Sequence, residues 1–249
     1  REQPEAVAII GASAIGCEFA YYFNSYGVNV KMFEMLGHLV PREDEEVSVE
    51  LERQFGRQGI EFATSASVSG VEKKNGRLAV QYEVDGEKQE FICDKVLLGV
   101  GVQPNTDGIG LENVGITTAG PGFIEVDGNM RTNVSGVYAV GDVNGKLMLA
   151  HVAFDQGVVA AETIAGHDVE PIEDYVNVPR CTYAQPQIAS IGLTEAQARE
   201  NGINLKVGKV PFAVAGKSVA IGEPQGFVKV LTDDDTGEVV GAHIIGPEA

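Results

Sequence analysis

The chain opens on a continuous apolar run of strand length, Val7-Ala8-Ile9-Ile10, that feeds directly into Gly11-Ala12-Ser13-Ala14-Ile15-Gly16. Ile15, Phe19, Tyr22 and Phe23 then recur at helical spacing, which predicts a helix from about Ala14 to Tyr26, with Gly27 placed to stop it. A second apolar run, Val28-Asn29-Val30-Lys31-Met32-Phe33, ends on Glu34. Val47, Leu51 and Phe55 repeat every four residues and predict a helix over Glu45 to about Gln58, closed by Gly59. Ile60-Glu61-Phe62 reads as the third strand of a parallel β-α-β-α-β series.

At about Ser67 the period changes to two. Three alternating strands follow, joined at Asn75-Gly76 and Asp85-Gly86, both strong signals for two-residue hairpins. Lys95-Val96-Leu97-Leu98-Gly99-Val100-Gly101 returns to a fully apolar run, the pattern of a buried parallel strand. Glycines at 108, 110, 115, 120, 122 and 128 mark a loop-rich crossing. Beyond it, Val137-Tyr138-Ala139-Val140-Gly141-Asp142 predicts one more buried strand with an acid at its C-terminal end, and a helix from about Phe154 to Ile164 precedes Gly166. Past Asp174, strands near Ile188, Val207, Phe227 and Val239 surround one helix at Thr194 to Glu200, for which Thr194 and Gln197 form a capping box. The fold class is α/β: a doubly wound parallel sheet carrying an antiparallel three-stranded meander, then a second nucleotide-type piece, then a smaller α+β region.

Composition narrows the function classes. A net charge of −18 argues against nucleic acid phosphates and anionic membrane surfaces as partners, since both need positive patches. No stretch approaches the roughly 20 apolar residues that cross a bilayer. Cys17, Cys93 and Cys181 stand far apart with no C-x-x-C pair, which fits free thiols in a reducing cytoplasm. No initiator Met opens the chain and it stops just after Gly246-Pro247, so it reads as the middle of a longer protein.

Strand, glycine turn, helix and terminal acid together form the layout of a dinucleotide site, in which a pyrophosphate sits on the helix N-terminus. Gly11 permits the tight turn and Gly16 lets helix and strand approach closely, while Ser13 stands where the pattern has its second glycine and offers a hydroxyl to a phosphate. Glu34, 18 residues beyond Gly16, stands where a carboxylate meets the adenosine ribose hydroxyls and repels the extra phosphate of NADP. At ~4 Å and an effective dielectric near 20, one unit charge pair is worth roughly 4 kcal/mol, so even a screened fraction decides for NAD. Asp142 could accept a hydrogen bond from a sugar or ribityl hydroxyl, and the helix after it aims N–H groups at electron-rich ligand atoms. By itself that marks a second ligand site of unspecified chemistry.

Thr132 to Asp142 resembles the second FAD fingerprint of the pyridine nucleotide–disulfide oxidoreductases. Gly99-Val100-Gly101-Val102-Gln103-Pro104-Asn105-Thr106 resembles the segment where their NAD domain rejoins the FAD domain, and Met148-Leu149-Ala150-His151 is closer to the dihydrolipoyl dehydrogenases than to glutathione or mercuric reductases. Pro179–Pro186, Gly192–Glu195 and Gly241–Gly246 resemble the family's interface domain. The resemblance implies an NAD-binding domain over 1–119, the C-terminal part of an FAD domain over 120–172 and a truncated dimerisation domain over 173–249. It also implies NAD contacts from Gly11, Ala12, Ser13, Ala14, Ile15, Gly16, Glu18, Glu34, Val68 and Gly101, and FAD contacts from Asp142, Met148, Leu149, Ala150 and His151. Val102 stands where many members have arginine.

The implied parent activity is oxidation of dihydrolipoyl groups with reduction of NAD, in a homodimer serving the lipoyl-bearing acyltransferase of a 2-oxo acid dehydrogenase complex or a glycine cleavage carrier. The family's first FAD glycine motif, its redox C-x-x-x-x-C and its His-Pro with Glu are not in these 249 residues. No catalytic or metal-ligating residue is therefore named: Cys17 reads as a packing thiol, His243 as a core residue, and His38 and His167 as loop residues. The isolated chain is expected to be inactive. The rival readings are another flavoprotein reductase or NADH oxidase of the same superfamily, and a non-catalytic nucleotide-binding module.

Overall fold

The computed structural model describes residues 2–249, grouped in two compact units: one formed by the chain up to Val100 together with Pro179–Ala249, the other by Gly101–Val178. The first unit begins with β1 (Ala6–Ile10), α1 (Ala14–Ser25), β2 (Asn29–Phe33), α2 (Glu45–Gln58) and β3 (Glu61–Ala63). The meander follows as β4 (Ser67–Lys74), β5 (Arg77–Val84) and β6 (Glu87–Cys93), and β7 (Lys95–Leu98) returns to the first sheet. That sheet is parallel, in the order β3-β2-β1-β7. Its strand β1 has neighbours on both sides, and Val7, Ala8 and Ile9 are fully buried, which is why its sequence runs apolar without alternation. By contrast β7 is an edge strand: it stops at Leu98, which is exposed, so the expected buried strand over 95–101 is shorter and half open.

Helix α1 meets the sheet through Gly16, Cys17 and Ala20, while Ile15, Phe19 and Tyr22 are exposed. The apolar stripe that periodicity picks out is thus not the buried one, because only small side chains fit where the helix leaves the glycine turn. Helix α2 follows its pattern more simply. Asp44 caps it by accepting the Glu46 N–H at 3.2 Å, Glu45 and Glu46 complement the dipole of its first turn, Val47, Leu51 and Phe55 are buried, and Gly59 ends it at φ +81°. Both meander hairpins turn through two positive-φ residues, Asn75-Gly76 and Asp85-Gly86, as the sequence requires.

The second unit holds α3 (Leu111–Val114), the short pair β8 (Thr118–Ala119) and β9 (Phe123–Ile124), a 3-10 turn over Gly141–Asn144, and α4 (Ala150–Ile164). The expected buried strand over 137–142 is corrected here. The segment makes a single bridge, Tyr138 to Arg131, Val140 is exposed, and Gly141 and Asp142 belong to the 3-10 turn. A buried parallel strand needs partners on both edges, and the described residues supply only the Arg131 segment.

The C-terminal part of the first unit is an antiparallel sheet of β10 (Arg180–Thr182), β11 (Gln187–Gly192), β12 (Leu205–Pro211), β13 (Phe227–Asp233) and β14 (Val239–Gly246), in the order β10-β11-β14-β13-β12. Helices α5 (Glu195–Glu200) and α6 (Gly216–Ala220) lie between its strands in sequence, and α5 carries the expected Thr194–Gln197 capping box. Ser190, His243 and Lys229 stand side by side across three strands and are all buried. The Lys229 ammonium lies 2.8 Å from Asp44, 2.8 Å from Glu46 and 2.7 Å from Glu195. No helix among the described residues is long and apolar enough to cross a membrane.

Burial pushes the Asp44 carboxyl up, but hydrogen bonds from Lys229 and the Glu195 N–H outweigh it and hold the group below its ordinary value of 3.8. Lys209 and Lys229 hold Glu46 low, and Lys229 and Arg199 do the same for Glu195, against ordinary values of 4.5. Burial pulls Lys229 down, yet its three carboxylate partners raise it above its ordinary 10.5. The carboxylates therefore contribute stability that is complete above their unfolded values and is lost as pH falls through the lowered native ones; Lys229 contributes fully below 10.5 and loses its share as pH rises from there through its raised value. Urea midpoints read by circular dichroism should form a plateau from about pH 5 to about pH 10, and Lys229→Met should lower the plateau and flatten its acid edge.

Candidate dinucleotide and second ligand sites

Three glycines close the turn after β1. Gly11 has φ +95°, and a Cβ on it would come within 2.5 Å of the Gly99 carbonyl oxygen. A Cβ on Gly16 would lie 2.0 Å from the Gly11 carbonyl oxygen. No other residue can occupy either position without moving backbone. Ser13 is the N-cap of α1 but its side chain makes no capping hydrogen bond, so the hydroxyl is not committed to the helix. The first N–H groups of a helix have no partner within it, and together with the dipole they suit an anionic phosphate. Gly11 to Gly16 are thus a cradle that side chains would fill, which fits a pyrophosphate approaching backbone.

Glu34 is nearly buried, at 8% exposure, and faces this turn. Its Oε2 accepts the Ala12 N–H at 2.8 Å and its Oε1 accepts the Leu36 N–H at 2.9 Å. Each carboxylate oxygen keeps lone pairs beyond these bonds, so ribose hydroxyls can still donate to it. The Ala12 carbonyl accepts the Val40 N–H at 2.8 Å and the Cys17 thiol at 3.3 Å. Burial drives the Cys17 thiol far above its ordinary range, so it is a neutral packing group. Glu18 is half-buried and accepts the Tyr183 N–H at 2.9 Å. Val68 lies in β4 and packs on the meander core, two residues beyond Ala66, whose N–H reaches the Glu34 carbonyl. Gly101, at φ +109°, opens the second unit.

In the second unit Asp142 is exposed on its 3-10 turn. Gln156, fully buried on α4, holds that turn: its Oε1 accepts the Gly141 N–H at 2.7 Å and the Asn144 amide at 2.8 Å, and its Nε2 reaches the Tyr175 hydroxyl at 3.0 Å. Met148 is partly exposed and Leu149 half-buried at the start of α4. Leu149 is the N-cap and gives no side-chain cap, while Ala150 and His151 are exposed in the first turn. An exposed carboxylate and an uncapped helix N-terminus in one short stretch fit a ligand carrying both hydroxyls and electron-rich atoms. Pattern reading missed Val40, Asn144 and Gln156. A Gln at an inward helical position, between Val152 and Ala160, was the available signal for the last of these. Among the described residues no cluster of His, Cys, Asp and Glu could hold a metal.

The sequence matches the family described as Pyridine nucleotide-disulphide oxidoreductase over residues 1–157, and that family's dimerisation domain over residues 178–249. It is 46% identical over 246 residues to a dihydrolipoyl dehydrogenase of Mycobacterium leprae, covering 99% of this chain and 53% of that protein. It is 42% identical over 248 residues to a dihydrolipoyl dehydrogenase of Bacillus subtilis, covering 99% of this chain and 52% of the relative. The chain therefore spans about half the length of the curated relatives it matches. Its structure resembles the HOCl-induced flavoprotein disulfide reductase of Escherichia coli, with TM-score 0.92, 27% identity and coverage of 99% of this chain and 56% of the other. It also resembles LpdA of Mycobacterium tuberculosis, with TM-score 0.89, 29% identity and coverage of 99% and 53%.

Replacing Gln156 by Leu should strand the Gly141 N–H, at a cost of about 1–3 kcal/mol, and leave the Asn144 amide with its weaker bond to the Ala139 carbonyl at 3.3 Å. Urea unfolding followed by tyrosine near-UV dichroism measures it. Gly16→Ala should cost about 1–3 kcal/mol through the forced shift of the Gly11 carbonyl, and should abolish any nucleotide-dependent rise in midpoint.

Proposed function

Because the chain belongs to the pyridine nucleotide-disulphide oxidoreductase family, we propose that it is the nucleotide-binding and dimerising portion of a dihydrolipoyl dehydrogenase, oxidising protein-bound dihydrolipoyl groups and reducing NAD. The observation that carries this reading is the turn itself: Gly11 and Gly16 leave room only for backbone, and Glu34 faces the turn from the end of β2. When bound, FAD and NAD supply the two-electron relay by which a dithiol becomes a disulfide and NAD gains hydride.

The chain's own residues bind and orient. Gly11 to Gly16 and the first turn of α1 hold the pyrophosphate, with the Ser13 hydroxyl as an added donor. Glu34 takes the adenosine ribose and rejects a 2′-phosphate by like charge. Glu18, Val68 and Gly101 complete the NAD contacts; Asp142 and Met148–His151 contact FAD, with Gln156 setting the Asp142 turn. The dimerisation-domain match supports a homodimer, and a lipoyl-bearing carrier protein is the partner the chemistry requires. Three free, dispersed cysteines suit a reducing cytoplasm.

The 249-residue chain carries no C-x-x-x-x-C pair, so we expect it to bind NADH without turning over dihydrolipoamide; steady-state NADH production above the buffer rate would overturn that. In fluorescence titration it should prefer NADH over NADPH by at least about tenfold, a screened part of the charge repulsion at Glu34. Glu34→Gln, which keeps an acceptor but loses the charge, should bring the two ligands to near parity. Equal affinities in the unmodified chain would refute the assignment of Glu34.

A further inference from the structure

We propose that Lys229, on the C-terminal sheet, is a positioning residue for the dinucleotide turn, acting through Asp44 and the segment that joins β2 to α2. The inference rests on the nucleotide reading above and adds a residue that touches no nucleotide. Lys229 occupies an inward position of β13, between the buried Phe227 and Leu231 and paired in register with His243. A lysine in that apolar alternation survives only with partners, and two of its three, Asp44 and Glu46, come from the other end of the chain. Asp44 and Lys229 are each about 1% exposed and lie 2.8 Å apart. Asp44 also accepts the Glu195 N–H at 3.0 Å and caps α2, so its carboxylate joins the C-terminal sheet region, the helix and the loop before it.

That loop reaches the glycine turn at both backbone polar groups of one residue, Ala12. Glu34, at its start, accepts the Ala12 N–H, and Val40, in its middle, donates to the Ala12 carbonyl. Val40 has φ +43°, a left-handed conformation costly for a β-branched residue, which persists only where surroundings over-determine it. What holds it lies beside Asp44: the Glu43 N–H reaches the Val40 carbonyl at 2.9 Å, and the Ser48 hydroxyl reaches the same oxygen at 3.3 Å. Glu43 is itself held by the Ser190 hydroxyl and by Arg180 at 3.7 Å, again from the C-terminal sheet. Asp44 left buried without its ammonium must move or take up a proton, and either change loosens the residues that keep Val40 strained. Val40 then relaxes, the Ala12 carbonyl loses its donor, and the turn no longer presents its N–H groups in the binding orientation.

The test uses the 249-residue chain with Lys229→Met, which keeps the aliphatic stem and removes the charge, beside Leu231→Ala as a destabilised control on the same strand face. NADH titration well below both melting temperatures should weaken about tenfold for Lys229→Met and stay within about twofold for Leu231→Ala. In parallel, hydrogen exchange should quicken at the Val40 and Ala12 amides in Lys229→Met, with the β1 amides unchanged. Unaltered NADH affinity in a folded Lys229→Met overturns the proposal and leaves the nucleotide reading standing, and equal weakening in both variants reduces Lys229 to a stabilising role and overturns it too. Should Lys229→Met not fold, Glu195→Gln, which removes one of the three negative charges around the ammonium, takes its place, with weakening of about threefold expected and unchanged affinity refuting the idea. Failure of the unmodified chain to bind NADH would sink the nucleotide reading alone; the exchange rates at Val40 and Ala12 would still decide whether Lys229 sets the turn.

Discussion

Backbone meets backbone where α1 leaves β1, and much of the first unit is arranged around that contact. The Gly11 carbonyl lies so close to Gly16, and Gly99 so close to Gly11, that no side chain can intervene at the first two positions. Such an approach brings the start of α1 down onto the sheet. The helix must then present its smallest residues inward, Gly16, Cys17 and Ala20, and turn its larger apolar residues away. The same closeness leaves the N–H and the carbonyl of Ala12 dependent on partners outside the turn. Glu34 supplies the acceptor and Val40 the donor, and this makes the loop after β2 part of the site.

Charge is handled locally in a chain with a large negative excess. The buried carboxylates are few, and each is satisfied by N–H groups or by an ammonium. Glu34 accepts two backbone N–H groups. Asp44 combines helix capping with the Lys229 ion pair, and the outer carboxylates of that cluster are shared with Lys209 and Arg199. Removing one partner from such a cluster costs more than the pair contributes, because the remaining charge is stranded out of water. The cluster therefore ties the loop and helix around Asp44 to the C-terminal sheet.

Reading the pattern succeeded where local chemistry and tertiary role coincide. Helix α2, the two positive-φ hairpins and the α5 capping box each follow from a few adjacent residues. It misjudged elements whose character depends on neighbours. The run 95–101 is as apolar as a central strand, but it forms an edge because nothing among the described residues pairs with its far side. The run 137–142 has a partner on one edge only, the Arg131 segment, and bends into a 3-10 turn held by a glutamine fourteen or more residues later. Ile15, Phe19 and Tyr22 have helical spacing and still point outward, since periodicity marks an apolar face without saying what covers it.

The sequence by itself determined the α/β class, the parallel series with its inserted meander, the two glycine positions that bar a side chain, and the acid at the end of β2, because each is set by backbone sterics or by contacts within a few residues. Tertiary structure alone decided what those groups do to one another: that Glu34 grips the Ala12 amide, that Val40 is held in a strained conformation to serve the carbonyl of the same residue, that Gln156 sets the Asp142 turn, and that Lys229, almost two hundred residues from Asp44, is its counter-ion. Such pairings leave no periodicity in the chain, since a hydrogen bond or ion pair between distant residues depends on where the fold brings them and not on their spacing.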